Sequence, residues 1–393
     1  MALNIIAEIT RRDLGFTNIP AEAVISDVQQ LSSYNWIEAP TPTIAVPGSP
    51  SLWSPPLRPR RLPKDSGFVY IAQNAARHPE SPLEPLFRAL YASKPTFDIR
   101  TSDIVTDRNN IRKLLSFVDP SSSRNGLEPF TIKLEVIKDT VMFCRDEPAT
   151  HEVIGRNDFR GFGHNFEKAY TTNKINGSTG HHRIISYRFG GLNFIIRHET
   201  DGYDGSDLGT SPSIEDSLSA ALASTSLSSA GAASSPAGPG SKLSVRMQGE
   251  TIPLKSTIEI KTRVQHKPLP MQEAAAQLWV SQTPKLVRAY HRQGIFQNPR
   301  VEDVMAEITK WEKTNQAHLR RLAGLITEIL AVVKERCKGG SAVLKYDALR
   351  DALVISAAGD KKMLPGDLYR KWDCTGQYSA NGDMSGTQAH TRV

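Results

Sequence analysis

The chain has 393 residues, 39% hydrophobic and 23% charged, which suits a soluble globular protein of one large or two ordinary domains. No run of about 18 apolar residues occurs, which excludes a helical membrane span, and "MALNIIAEITRRD" lacks a secretory pattern, so the nucleus or cytoplasm is the expected setting. The net charge of +7 favours an anionic partner such as nucleic acid, although a solvated basic surface explains it equally; three scattered cysteines, Cys144, Cys337 and Cys374, exclude a disulfide framework and a zinc knuckle.

Residues 1–66 read as an N-terminal segment. Its part 38–66, "EAPTPTIAVPGSPSLWSPPLRPRRLPKDS", is crowded with proline and predicts neither a regular helix nor a central strand, while Trp53 and the leucines lay it against a body. Residues 67–373 read as one domain. "LEPLFRALYASK" and "NIRKLLSFV" predict helices, and "FTIKLEVIKDTVMFCRD" predicts two strands about a turn. "HHRIISYRFGGLNFIIRHETD" predicts a hairpin turning at Gly190 and Gly191. Residues 205–242, rich in Ser, Ala, Gly and Pro, predict a disordered insertion. Helical patterning is expected over "EAAAQLWVSQTPKLVRAYH" and again from Val301 to about Arg336, where Ile308, Trp311, Leu319, Leu322, Ile326, Ile329 and Val333 mark a core-facing stripe. "SAVLKYDALRDALVISA" predicts a second hairpin, and 374–393 a disordered tail.

One stretch carries possible chemistry. If "STIEIKTRV", 256–264, is a strand, Ile258 and Ile260 share one face while Glu259 and Lys261 share the other. Taken alone, that pair reads as a surface ion pair on an amphipathic strand. Upstream, "FIIRHETDGY" places Glu199 and Asp201 together at a strand end. Carboxylates at a strand end followed by Glu-x-Lys on a neighbouring strand resemble the PD-(D/E)XK nuclease core. Hydrolysing a phosphodiester or pyrophosphate calls for hard oxygen ligands around Mg²⁺ or Mn²⁺, with a cation beside the attacking water.

Three further motifs extend the series. "VTDRNNIRKLLSF" puts Arg108 ahead of a helix, "FRGFGHNFEKAYTT" supplies Glu167, and "AAAQLWVSQTP" sets Gln277 on the helix after the Glu-x-Lys strand. In this order the motifs resemble the DXO/Rai decapping nucleases over roughly residues 100–300. The resemblance implies an α+β fold, a mixed β-sheet core flanked by helices, within a catalytic domain over 67–373. It implies that Glu167, Asp201, Glu259 and the backbone carbonyl of Ile260 hold divalent metal, Mg²⁺ or Mn²⁺. Glu199 would act partly through metal-bound water, Lys261 would serve the attacking water, and Arg108 and Gln277 would contact RNA phosphates. Thr262 completes the Glu-hydrophobic-Lys-Thr motif. The implied activity is hydrolysis at the RNA 5′ end (triphosphate, incomplete cap or nicotinamide cap), joined in some members by 5′–3′ exonuclease digestion. Some members also bind a 5′–3′ exoribonuclease, a partner the resemblance extends to this chain.

The chain departs from the family at Ala274, where a lysine is usual, and in the long insertion between Asp201 and Glu259, which loop-closure entropy tolerates. His181-His182 reads as a solvated pair in a turn rather than a metal site. No Walker pattern, G-x-G-x-x-G or G-x-S-x-G elbow is present. Two other readings stand beside the first: a PD-(D/E)XK nuclease acting on another nucleic acid, and a non-catalytic binding or scaffold protein of the same fold.

Overall fold

The structure, a computed structural model, describes residues 4–15, 20–122, 126–155, 157–159, 161–208 and 235–373. Strands β1 (Ile5–Thr10), β2 (Ser26–Ile37), β3 (Thr43–Gly48), β4 (Leu52–Trp53) and β5 (Gly67–Tyr70) precede helices α1 (Gln73–Arg77) and α2 (Glu84–Ser93). Strand β6 (Ile104–Asp107) runs straight into α3 (Arg108–Val118), and β7 (Thr131–Ile137), β8 (Thr140–Asp146) and β9 (His151–Ile154) lead to α4 (Gly163–Tyr170). After β10 (Thr171–Thr172) come the hairpin β11 (Ser178–Phe189) and β12 (Leu192–Glu199), then β13 (Gly202–Tyr203), β14 (Ser235–Pro236), β15 (Ser244–Gly249) and β16 (Thr257–Val264). Helix α5 (Gln272–Ser281) joins β16 to β17 (Lys285–Arg292), followed by β18 (Ile295–Phe296) and β19 (Val301–Asp303). Helices α6 (Met305–Thr314) and α7 (Gln316–Arg336) precede β20 (Ser341–Asp347), β21 (Ala352–Gly359) and the short α8 (Gly366–Tyr369).

Twelve strands form one mixed sheet, ordered β1-β21-β20-β7-β8-β6-β12-β11-β2-β3-β15-β14. The alternation of its side chains builds two cores. Ile104, Val141, Phe143, Phe194 and Ile196 face one way, onto α3, α5 and α7. Their neighbours Val105, Met142, Cys144 and Ile195 face the other way, onto α2 and the C-terminal Leu364, Leu368 and Trp372. Apolar residues on both faces are what a sheet covered by helices on both sides requires. The fold is therefore α+β with a helix-flanked mixed sheet, as expected. A second sheet, β10-β4-β13-β16-β17-β18 with β19 also on β17, packs Ile258, Ile260, Val287 and Ala289 against Phe162, Phe166 and Tyr170 of the α4 region. Strands β5 and β9 form a separate two-stranded ribbon.

Both predicted hairpins form, with Gly190 and Gly191 turning the first at positive φ. Five expectations need correction. The proline-rich stretch does contain an inner strand: β3 lies between β2 and β15 in the large sheet. Pro47 sits beyond the last β2–β3 pair, at Ala45, so no bond of that ladder depends on its missing N–H. The helical reading over 273–291 holds only to Ser281. Gln282 turns left-handed at φ 52, Pro284 follows, and 285–292 is a strand parallel to β16. The reading from Val301 is likewise interrupted, by β19 before α6. His181 and His182 are no solvated turn; at 3% and 4% exposure they lie inside β11, paired with β2, and His182 also faces Glu199 of β12. Residues 205–208 make a short helical turn and 235–236 pair with β15. The predicted disorder of 209–234 and of the tail 374–393 lies outside the described residues.

Candidate active site

The chain crosses from the large sheet to the small one between Glu199 and Gly202. Glu199 ends β12, and β13 pairs antiparallel with β16, Gly202 opposite Ile258. Glycine is required there, because a Cβ on Gly202 would lie 2.8 Å from the Ser51 carbonyl oxygen. The crossing lays Asp201 along β16, where its Oδ2 accepts the Ile260 N–H at 2.7 Å.

Strand β16 presents the two faces its alternation predicts. Ile258 and Ile260 are buried in the small-sheet core, at 0% and 4% exposure. Thr262 shares their side, its Oγ1 lying toward Gly163 at the start of α4. On the opposite face Glu259 is buried, and it is the hub of the site. Lys261 Nζ donates to its Oε1 at 2.7 Å, Gln277 Nε2 to the same oxygen at 2.5 Å, and Arg108 Nη1 to its Oε2 at 3.3 Å. Gln277 arrives there because β16 and β17 are parallel: such a pair needs a crossover, and α5 is that crossover. Arg108 arrives through β6, parallel to β12, in the register Asp107 opposite Arg197. The buried Arg197 guanidinium clasps Asp107 through Nε–Oδ1 at 2.6 Å and Nη2–Oδ2 at 2.9 Å, which fixes the β6–α3 junction.

Glu167 comes from α4. That helix is anchored by Phe166 and Tyr170 in the core and capped from afar by buried Asp65, whose carboxylate accepts the N–H groups of His164 at 3.2 Å and Asn165 at 2.9 Å. Glu167, Glu199 and Asp201 line one cleft of about 650 Å³, with Asp65, Gln73, Arg77, His164 and Lys168 on its walls.

The electrostatics separate the four carboxylates. Burial, then repulsion from Asp201, Glu199 and Glu259, pushes Glu167 well above the usual carboxylate range. Burial and the Glu259 charge push Asp201 up to about 8, against the pull of Lys261. Glu199, open to the cleft but enclosed by protein elsewhere, is raised by burial although Arg108 opposes it. Glu259 is also desolvated, yet Lys261 and Arg108 overcome this and hold it low, an anion at neutral pH. Crowded carboxylates that resist ionising together are the donor chemistry that a hard divalent cation relieves, so the residues fit such a metal by donor type. Among the described residues no three His, Cys, Asp or Glu side chains converge as a ready ligand set. Glu259 is instead engaged by Lys261, Gln277 and Arg108.

Of the residues singled out in the sequence, Glu167, Glu199 and Asp201 line this cleft. Glu259 gathers Lys261, Gln277 and Arg108 around itself on one face of β16. The side chains of Ile260 and Thr262 lie on the core side, Ile260 reaching Asp201 through its N–H. Sequence reasoning missed the Asp107–Arg197 clasp, the cap from Asp65, and two further arginines near Arg108. Arg112, one helical turn after Arg108, was legible from the i, i+4 spacing. Arg145, on the neighbouring β8, was not.

A family model described as "Domain of unknown function (DUF8563)" matches residues 19–372. No curated protein matches by sequence. Solved structures do match in fold. A crystal structure of S. pombe Rai1 aligns with TM-score 0.54 at 14% identity, covering 90% of this chain and 99% of that one. Candida albicans Rai1 in complex with pU5-Mn2+ aligns with TM-score 0.55 at 13% identity, covering 90% and 97%. Scheffersomyces stipitis Rai1 in complex with (3'-NADP)+ and calcium ion aligns with TM-score 0.52 at 12% identity, covering 90% and 92%.

Proposed function

We propose, from the premise that the chain belongs to the DUF8563 family and shares its fold with the Rai1 structures, that it is a divalent-metal-dependent hydrolase of RNA 5′ ends. One observation carries the reading: Glu167, Glu199 and Asp201, all raised, share a cleft and an electrostatic field with Glu259, which is held low and carries Lys261 at 2.7 Å. The likeness to structures holding pU5 with Mn²⁺, or a nicotinamide nucleotide with calcium, supports RNA and a divalent ion as the pair to test.

In this reading Glu167, Asp201 and Glu259 hold the metal, Mg²⁺ or Mn²⁺, with Glu199 beside them. The metal, when bound, neutralises charge that develops on the phosphoryl group. Lys261 Nζ, one pleat along from Glu259, positions the attacking water by donating a hydrogen bond to its oxygen. Gln277 and Arg108 fix the Glu259 carboxylate and offer N–H donors to phosphate oxygens. An exoribonuclease partner belongs to the same proposal.

The test is turnover of 5′-triphosphate, capped, NAD-capped and 5′-monophosphate RNAs with Mn²⁺ or Mg²⁺, beside an Asp201→Ala/Glu259→Ala control. Release of 5′ products by the wild type, lost in the control, is the expected result. No turnover of any RNA with either metal defeats the hydrolase reading, and cleavage of DNA alone would move the chain to the wider nuclease class.

A further inference from the structure

Glu199 also lines a second, smaller cavity, which shares Tyr70 and Gln73 with the acidic cleft. Its volume is about 120 Å³, and its lining includes Arg108, Arg112, Arg145, His182, His198 and Glu199. At about 30 Å³ per water it has room for roughly four, enough for a phosphoryl group and too little for a nucleoside.

Three features of this cavity call for an anion. First, its cations outnumber their partners. Arg108 is bound to Glu259 and Arg145 Nε to Glu147 at 2.6 Å, but Arg112 has no hydrogen-bonding or ion-pair partner among the described residues. Burial, with Arg108 and Arg145 close by, lowers the Arg112 guanidinium to about 10 although the Glu259 charge opposes the shift, so the crowding of like charges here is only partly offset. Second, the N-terminus of the eleven-residue α3 opens onto it. Asp107, at the capping position, makes no side-chain cap because its carboxylate is committed to Arg197. The first-turn N–H groups and the positive end of the helix dipole are therefore left to the cavity. Third, His198 is 3% exposed, lines the cavity, and has no partner for Nε2. Its Nδ1 lies 3.2 Å from the Glu199 carbonyl oxygen and donates to it, leaving the Nε2 lone pair to accept from a protonated phosphate oxygen. Of the carboxylates on the lining, Asp107 is neutralised by Arg197, and Glu199 is shared with the acidic cleft.

We infer that the cavity bounded by Arg108, Arg112, Arg145 and His198 is a phosphate-binding subsite, receiving a phosphoryl group of the substrate beside Glu199. The inference rests on the hydrolase reading only for the word substrate; as an anion site it stands on its own residues. It selects for 5′ ends carrying more than one phosphate, with one group at the carboxylates and another among the arginines.

The probe is inorganic pyrophosphate, titrated calorimetrically into the full chain without divalent metal. Saturable binding is expected, weakened about tenfold or more in Arg112→Gln, the loss of one charge-assisted contact, and largely restored in Arg112→Lys. In turnover of 5′-triphosphate RNA, Arg112→Gln raises KM more than it lowers kcat. If Arg112→Gln fails to fold by circular dichroism, Arg145→Gln carries the same comparison. Absence of pyrophosphate binding, or equal affinity in wild type and variant, overturns the subsite. Failure of the wild type to turn over any RNA overturns the hydrolase reading instead and leaves the titration to decide the subsite.

Discussion

Two cavities meet at Glu199, and their contrast explains how the site is organised. The cleft on one side gathers Glu167, Glu199 and Asp201, three raised carboxyls beside Glu259, which is held low. The cavity on the other gathers Arg108, Arg112 and Arg145, with one guanidinium pushed down. Both are built where strands of the large sheet end, and both concentrate charge of one sign in surroundings that penalise it. Neither arrangement stabilises the empty protein; each is relieved by a ligand of opposite sign. Arg108, bonded to Glu259 while lining the basic cavity, links the two.

The strongest way to break this contrast is Glu259→Gln. Removing the carboxylate that is held low should lower hydrolysis of 5′-triphosphate RNA on the order of 10²–10³-fold, the scale of losing a preorganised electrostatic group. Activity within tenfold of wild type, in protein that melts normally, would take the acidic side out of the chemistry. Next is the frame between the two sides. Asp107→Asn leaves the buried Arg197 without its counter-charge and should cost about 3–5 kcal/mol in urea unfolding. A cost below about 1 kcal/mol would mean that the clasp does not hold the β6–α3 junction.

Smaller effects sharpen the comparison. Gln277→Leu removes the 2.5 Å donor to Glu259 while keeping a buried side chain of similar size. Activity should fall about tenfold, as for a residue that orients a ligand, with apparent metal affinity weakened in parallel. An unchanged Mn²⁺ dependence would assign Gln277 to packing.

The smallest effect is a slope. Asp201, raised to about 8 from its ordinary 3.8, binds its proton more tightly folded than unfolded. Its contribution to stability is therefore complete below 3.8 and is lost as pH rises through about 8, and Glu167 and Glu199 act in the same direction. Glu259, held low, acts oppositely, but its contribution is lost only as pH falls below the ordinary carboxylate range. The buried His181, His182 and His198, held well below their ordinary range, lose stability as pH falls below about 6.5, so the comparison belongs above that range: metal-free protein should melt at lower temperature at pH 8 than at pH 7. Asp201→Asn should flatten that slope, and Mn²⁺ should raise melting most at pH 8. Equal slopes in wild type and variant would acquit Asp201 as the source.

Much of this was legible in the chain. Alternation fixed the faces of β16, so Ile258 and Ile260 went to the core and Glu259 and Lys261 to the other side, because a strand has a period of two wherever it is placed. Of the residues the motif order pointed to, the structure places Glu167, Glu199 and Asp201 on one cleft and Arg108, Lys261 and Gln277 on Glu259. Local pattern failed where partners decided the outcome. Residues 285–292 carry helix-compatible residues, but parallel pairing with β16 made them a strand, and β3 gained its place from β2 and β15 despite its proline. His181 and His182 looked polar enough for a turn, and burial between β2 and β12 made them interior. The basic cavity lay furthest beyond reach. Arg112 and Arg145 belong to different elements, and only the parallel alignment of β6 with β8 and β12 brings their charges together. The sequence by itself determined which side chains share a face, since that follows from backbone periodicity. The tertiary structure alone decided which faces meet, because strand pairing brings together residues that no spacing along the chain connects.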